Sequence, residues 1–213
     1  ACPCGGAARP LRMTLDIGVL VSGRGTNLQA LIDACASGAL DARIVLVASN
    51  RTGVPALVRA SRAGIAHATY NAETHGTRTA AHAALADALV GAGVGLVVLA
   101  GFDHILAPVF FERLAAVPII NIHPALLPAF GGKGMIGDRV HAAVLAAKAK
   151  ETGVTVHRVQ ADTVDAGEVI VQKRVPVHDG DDVPTLSARV LAVEHAALVE
   201  AVRTFTTVAV PRR

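Results

Sequence analysis

With 213 residues the chain can bury a substantial core as one domain, and its apolar content of 52% is carried by Ala, Val and Leu, with no Trp, one Tyr and no run long enough to cross a membrane. The net charge of +3 comes from scattered Lys and Arg without a basic stripe or interleaved aromatics, so a nucleic-acid surface is not expected and a small anionic ligand accounts for the balance. Cys2, Cys4 and Cys35 form neither an even disulfide framework nor a metal-ligand spacing, which points to a reducing, cytoplasmic compartment and to no bound metal.

Residues 1–12, ACPCGGAARPLR, lack the apolar segment of a signal peptide and read as a disordered leader ahead of one folded domain over 13–213. From there short β-branched runs alternate with Ala/Leu-rich segments of helical period. Strands are expected at 16–22, 43–49, 65–70 and 95–101, with helices between them at 27–37, 54–64 and 76–93. A helix near 107–116 then leads to a strand at 119–123. The segment 124–139 is a long loop rich in Gly and Pro, of the kind that is mobile or lines a binding site. A helix at 141–149 precedes an antiparallel pair at 153–159 and 168–177, and 184–205 closes the chain as an amphipathic helix with Leu186, Val190, Val193 and Leu198 near one face. The fold class that follows is α/β: a single Rossmann-like domain, with a mostly parallel twisted sheet, helices on both faces and an antiparallel C-terminal portion.

Three stretches carry chemistry. VSGRGTNLQ (21–29) leaves a strand, turns on Gly23 and Gly25 and enters a helix, so backbone N–H groups and a helix dipole converge where a phosphomonoester would sit. It lacks both the Lys-Ser/Thr of a Walker loop and the third glycine of a dinucleotide fingerprint, and an ordinary βα turn fits the glycine pair equally well. In INIHPALLPAF (120–130), strand alternation puts Asn121 and His123 on one face and Ile120 and Ile122 on the other. Ligands of open α/β sheets bind beyond the carboxyl ends of strands, so Asn121 can donate to an oxyanion there and His123 can exchange a proton. The acidic ADTVDAGEV (161–169) reads as a surface hairpin, or, if it folds back over the sheet edge, as the source of an Asp165 that orients His123 and raises its pKa. An Asn, His, Asp group without a Ser or Cys nucleophile suits direct acyl transfer to an amine.

Taken together, VLVSGRGTNLQALIDA, VVLAGFDHIL, INIHPALLPAF and GVTVHRVQADTVDAGEVIVQKRVPV closely resemble the phosphoribosylglycinamide formyltransferase family, from about Asp16 to the final helix. The Asn-x-His-Pro-x-Leu-Leu-Pro segment with a later Asp-x-Gly marks the formyltransferase superfamily, and the glycine-rich first turn marks its glycinamide ribonucleotide branch. The resemblance implies formyl transfer from the cosubstrate 10-formyltetrahydrofolate to the amine of 5'-phosphoribosylglycinamide, a step of purine synthesis. It implies Asn121, His123 and Asp165 as the catalytic trio, with Asn121 steadying the oxyanion, His123 as general acid toward the departing folate nitrogen and Asp165 holding His123 charged. Gly25, Thr26 and Asn27 match the phosphate loop, Leu191 lies beside the phosphate, and Glu194 matches the residue that grips the ribose hydroxyls. For the folate the matching positions are Arg78, then Asp103, His104, Ile105 and Leu106, then Ala161, Asp162, Thr163, Val164 and Asp165, with Asn121 shared. The resemblance leaves room for a homodimer and implies no nucleic-acid or membrane partner.

Departures from the family pattern are also legible. Asp103-His104 stands where many relatives carry Met-Arg, placing a negative charge near the folate site and leaving Arg78 as a candidate for the carboxylate tail. Leu191 replaces a polar residue beside the phosphate. The loop 131–141 is longer than in some members, with Lys133 as replacement positive charge and His141 as a contact near the substrate. Formyltetrahydrofolate hydrolases and methionyl-tRNA formyltransferases share the trio but carry extra domains for which this length is not expected to leave room. A non-catalytic nucleotide- or folate-binding module is disfavoured by the intact trio, and a dinucleotide oxidoreductase by the missing third glycine.

Overall fold

The computed structural model describes residues 14–161 and 163–206, so the expected leader 1–12 and Asp162 lie outside the described residues. β-Branched and leucine-rich runs with both faces apolar become the centre of one sheet. Its strands are β1 (Leu15–Val21), β2 (Ala42–Ser49), β3 (His67–Thr69), β4 (Leu96–Leu99), β5 (Ile119–His123), β6 (Glu151–Arg158) and β7 (Val169–Pro176). They lie in the order β3-β2-β1-β4-β5-β6-β7, parallel from β3 through β5, with β6 and β7 antiparallel. The expected mostly parallel sheet with an antiparallel C-terminal portion is therefore observed.

Helices cover both faces, as a parallel sheet requires. The helices are α1 (Thr26–Ala36), α2 (Pro55–Arg62), α3 (Ala72–His75), α4 (Arg78–Gly91), α5 (Pro108–Arg113), α6 (Asp138–Ala146) and α7 (Val183–Thr206). On one face Ile17, Val19 and Val21 of β1 pack with Leu28 and Leu31 of α1 and with Leu186, Val190 and Leu198 of α7. On the other, Leu20 packs with Leu85 and Leu89 of α4 and with Phe110 of α5. Strand alternation thus divides the core into two layers about a single sheet. Among the described residues no helix is long and apolar enough to cross a membrane.

Two expectations are corrected in detail. The helix expected over 76–93 is shorter, because Thr77 caps it by accepting from the Ala80 N–H at 3.0 Å, and a separate turn of helix precedes it, capped by Asn71 accepting from the Thr74 N–H at 3.0 Å. Four residues are too few to show a helical period, so α3 leaves no pattern in the sequence. The strand expected over 65–70 forms a ladder only at His67–Thr69.

The hairpin between β6 and β7 determines what reaches the sheet's carboxyl edge. The Arg158 N–H donates to the Glu168 carbonyl at 2.8 Å, and a β-carbon on Gly167 would lie 1.9 Å from the Arg158 carbonyl oxygen. Only glycine at 167 lets the chain pass this close to β6 just after Asp165. We expect Gly167→Ala to lower the stability by about 1–3 kcal/mol, the usual cost of forced overpacking, measured as a reduced urea midpoint; an unchanged midpoint would contradict this account of the hairpin.

Candidate active site

The carboxyl ends of β1, β4 and β5 open into a cavity of ≈ 890 Å³ roofed by the loops after β5 and β6. One end is built by the turn after β1. Gly25 has φ +72, and a β-carbon there would meet the Ala56 Cβ at 2.6 Å, so the turn can pass beneath α2 only as glycine. No side chain caps α1, which leaves the N–H groups of its first turn facing the cavity for an anion. Asn27 Nδ2 donates to Glu194 Oε2 at 2.7 Å, tying the start of α1 to α7. Its Oδ1 is enclosed and has no protein partner, so a donor group on a ligand is the natural complement. Burial pushes the Glu194 carboxyl up, against the opposing pull of Asn27 and the Arg24 charge.

The middle of the cavity holds Asn121, His123 and Asp165. β5 presents Asn121 and His123 on one face, as alternation predicts, and the 161–168 hairpin delivers Asp165. His123 Nδ1 lies 3.6 Å from Asp165 Oδ2, and Asn121 Nδ2 lies 3.5 Å from Asp165 Oδ1. His123 Nε2 donates to the Phe130 carbonyl at 2.8 Å, since a carbonyl can only accept; this leaves Nδ1 as the nitrogen on the Asp165 side. The Gly132 N–H donates to Asp165 Oδ2 at 3.0 Å, which anchors the long loop to the same carboxylate.

A fourth group completes this cluster that the sequence reading did not single out. His157 on β6 faces Asn121 across the antiparallel ladder. Its Nδ1 donates to the Arg158 carbonyl at 2.9 Å, and its Nε2 lies 3.2 Å from Asn121 Nδ2 and 3.4 Å from Asp165 Oδ1. The signal for it was the register of two strands, which the sequence does not display.

Asp165 does pull the His123 pKa upward as expected, but the net shift is downward. His123 is only 3% exposed, and burial pulls its pKa below the ordinary value, outweighing the attraction of Asp165 and the Phe130 hydrogen bond; the nearby His157 pushes the same way as burial. Asp165 itself is held below the usual carboxylate range despite a desolvation that opposes this, by the hydrogen bond from His157 and then by the Gly132 N–H. The resting site is therefore a carboxylate beside neutral His123. His141 also lines the cavity; it is buried and held low by burial, with its Nδ1 unpartnered.

At the other end the cavity is bounded by Arg78, Asp103, His104, Ile105 and Leu106. The negative charge that the sequence places there is answered by neighbours: Asp103 pairs with Arg51, accepts from Asn50 Nδ2 at 2.8 Å, and donates its N–H to Ser22 Oγ at 3.0 Å. Ser22 Oγ in turn donates to Asn50 Oδ1 at 2.6 Å, closing a ring across the ends of β1, β2 and β4. Ser22, Asn50 and Arg51 were not predicted. The segment is held from beneath by buried His82, whose Nδ1 accepts from the Ala107 N–H at 3.0 Å and whose pKa falls to about 4 through burial and the charges of His104 and Arg78. Ile105, Ile136 and Val164 are exposed and stand around the mouth, an apolar rim for a flat aromatic ligand.

Gly25, Thr26, Asn27, Leu191 and Glu194 line the same cavity as Ala161, Thr163, Val164 and the Arg78 and Asp103 group, so the structure brings the described candidate residues to one place. Among the described residues no group of three or more His, Cys, Asp or Glu side chains is arranged to hold a metal ion.

The formyl transferase family model matches residues 15–202. The chain is 37% identical over 190 residues to phosphoribosylglycinamide formyltransferase of Haemophilus influenzae, spanning 89% of this chain and 86% of that protein. It is 43% identical over 189 residues to the trifunctional purine biosynthetic protein adenosine-3 of Gallus gallus, but covers only 18% of that protein's length. The crystal structure of glycinamide ribonucleotide transformylase 1 from Symbiobacterium toebii superimposes with a TM-score of 0.83 at 42% identity, over 91% of this chain and 88% of that one.

His82, His123 and His141 are each held below the ordinary value by burial. The unfolded chain therefore binds more protons than the folded one on acidification, so their contribution to stability is complete above the unfolded value near 6.5 and is lost as the pH falls through the folded values. We expect the urea midpoint to drop between about pH 6.5 and pH 4, and to drop less in His82→Asn, which keeps an acceptor for the Ala107 N–H. A midpoint that is flat over this range in the unsubstituted protein would show that these rings are not buried neutral.

Proposed function

Because this chain belongs to the formyl transferase family, we propose that it transfers the formyl group of 10-formyltetrahydrofolate to the amine of 5'-phosphoribosylglycinamide, in the cytoplasm, as a step of purine synthesis. The observation that carries the reading is the meeting of Asn121, His123 and Asp165 midway between an uncapped helix N-terminus and an apolar-rimmed mouth. A phosphorylated substrate fits the first end and a folate the second, with the reacting atoms between them. Gly25, Thr26 and Asn27 receive the phosphate on backbone N–H groups, and Glu194 accepts from the ribose hydroxyls. Arg78 faces the acidic tail of the folate, and the 103–106 and 161–165 segments enclose its pterin.

The bond-making is direct. The amine attacks the formyl carbon, a new C–N bond forms, the bond from that carbon to the folate nitrogen breaks, and one proton passes from the amine to the departing nitrogen. Asn121 donates an N–H to the oxygen that becomes anionic in the tetrahedral adduct. His123 is neutral at rest, so it first takes the amine proton and then returns it to the leaving nitrogen, with Phe130 holding its other nitrogen in place. The Asp165 carboxylate stabilises the imidazolium during that interval, and His157 keeps both Asp165 and Asn121 aimed.

Asn121→Ala should reduce turnover about 100-fold while the KM of each substrate changes little, read from the release of deformylated folate analogue with and without glycinamide ribonucleotide. Release that proceeds equally well without the ribonucleotide would mean hydrolysis instead of transfer. An undiminished rate in His123→Asn would remove His123 from the proton path.

A further inference from the structure

We propose that Arg24 is a specificity-determining residue, supplying the side-chain cation that grips the substrate phosphate and replacing the polar contact that Leu191 cannot make. This rests on the assignment of a phosphorylated amine as substrate. The turn that carries Arg24 is stapled from outside by α2. The Ala56 N–H donates to the Gly23 carbonyl at 3.1 Å, and Arg59 Nε donates to the Arg24 carbonyl at 2.9 Å. Arg59 is itself held by Gln29 Oε1 at 3.1 Å, so its guanidinium is occupied in fixing the turn. The Arg24 carbonyl is turned to α2, Arg24 lines the cavity together with Thr26, Asn27, Leu191 and Glu194, and its charge reaches Glu194.

Two neighbouring arginines are committed elsewhere, while Lys133 lines the same cavity. Arg51 is paired with Asp103, and Arg59 with the turn backbone and Gln29. Among the described residues no carboxylate comes within ion-pair distance of the Arg24 guanidinium, although its charge reaches Glu194. An unpaired guanidinium next to an uncapped helix N-terminus adds a planar set of donors to backbone N–H groups that already favour an anion. The enclosed, partnerless Oδ1 of Asn27, a residue only 7% exposed, marks the same end of the cavity independently as one completed by a polar ligand. Leu191 offers no hydrogen bond there, and Arg24 lines the same cavity with a guanidinium that can supply one.

Arg24 can act on the phosphate, or only on Glu194 by favouring its charged form, and the two separate by substrate. Steady-state kinetics on the full chain would compare glycinamide ribonucleotide with the dephosphorylated glycinamide riboside, in the unsubstituted protein, Arg24→Ala, Arg24→Lys and the double variant Arg24→Ala with Leu191→Gln. We expect Arg24→Ala to raise the ribonucleotide KM at least about tenfold, with kcat within about twofold and the riboside KM unchanged. Arg24→Lys should recover part of the loss, as should the double variant, and the ribonucleotide KM of the unsubstituted protein should rise more steeply with salt than that of Arg24→Ala. An unchanged ribonucleotide KM in Arg24→Ala overturns the proposal, as does an equal rise for both substrates, which would place Arg24 behind Glu194. If the unsubstituted protein neither binds nor formylates the ribonucleotide, the substrate assignment fails and this inference fails with it; binding and turnover by the unsubstituted protein beside an indifferent Arg24→Ala would remove this inference alone.

Discussion

One carboxylate holds the site together. Asp165 lies within reach of the Gly132 N–H from the long loop, of Asn121 and His123 from β5, and of His157 from β6. The antiparallel ladder already joins β5 to β6 at Asn121 and His157, and the carboxylate ties the long loop to both strands and gives all of them a common geometry. It can do so because 165 has φ +55, in the left-handed region, and because the neighbouring Gly131 has no side chain: a β-carbon there would come 3.2 Å from the Asp165 Cβ. A charge buried this far is costly unless donors surround it. The His157 ring and the Gly132 N–H are the donors that hold Asp165 low.

The same economy of charge governs the two ends of the cavity. At the sheet's carboxyl edge Ser22, Asn50 and Asp103 close a ring of hydrogen bonds, and Arg51 balances the carboxylate. An acidic residue is thereby accommodated at the mouth of the cavity, with its charge directed at Arg51. At the opposite end Asn27 and Glu194 join α1 to α7, so α7 also forms a wall of the cavity. Thr155, buried in β6, accepts from the Leu127 N–H at 3.0 Å and donates to the Ala125 carbonyl at 2.7 Å, fastening the start of the long loop to the strand that carries His157. Position and chemistry are thus supplied by the same strands.

Much of this was legible beforehand. Alternation in 119–123 correctly put Asn121 and His123 on one face, and the change from helical to strand period located the seven-stranded sheet closely. The glycines at 25 and 167 were visible as motif residues before their reason was: one passes under Ala56, the other under the Arg158 carbonyl. What escaped was of two kinds. His157, Ser22 and Asn50 became site residues through strand pairing and strand-end proximity, across separations of 36 residues for Asn121 with His157 and 28 for Ser22 with Asn50. The short helix α3 has too few residues to generate a period.

By itself the sequence determined the class of fold and the shared facing of Asn121 and His123 on β5, because these depend on residue type and on spacings within single elements. The tertiary structure alone decided their electrostatic state. His123 was expected to be charged by its aspartate, yet its pKa is lowered, because the desolvation of a ring enclosed by β5, β6 and the long loop outweighs one carboxylate already shared with His157 and a backbone N–H. Burial and the sharing of partners are sums over the whole surrounding volume, and no local stretch of sequence contains that sum.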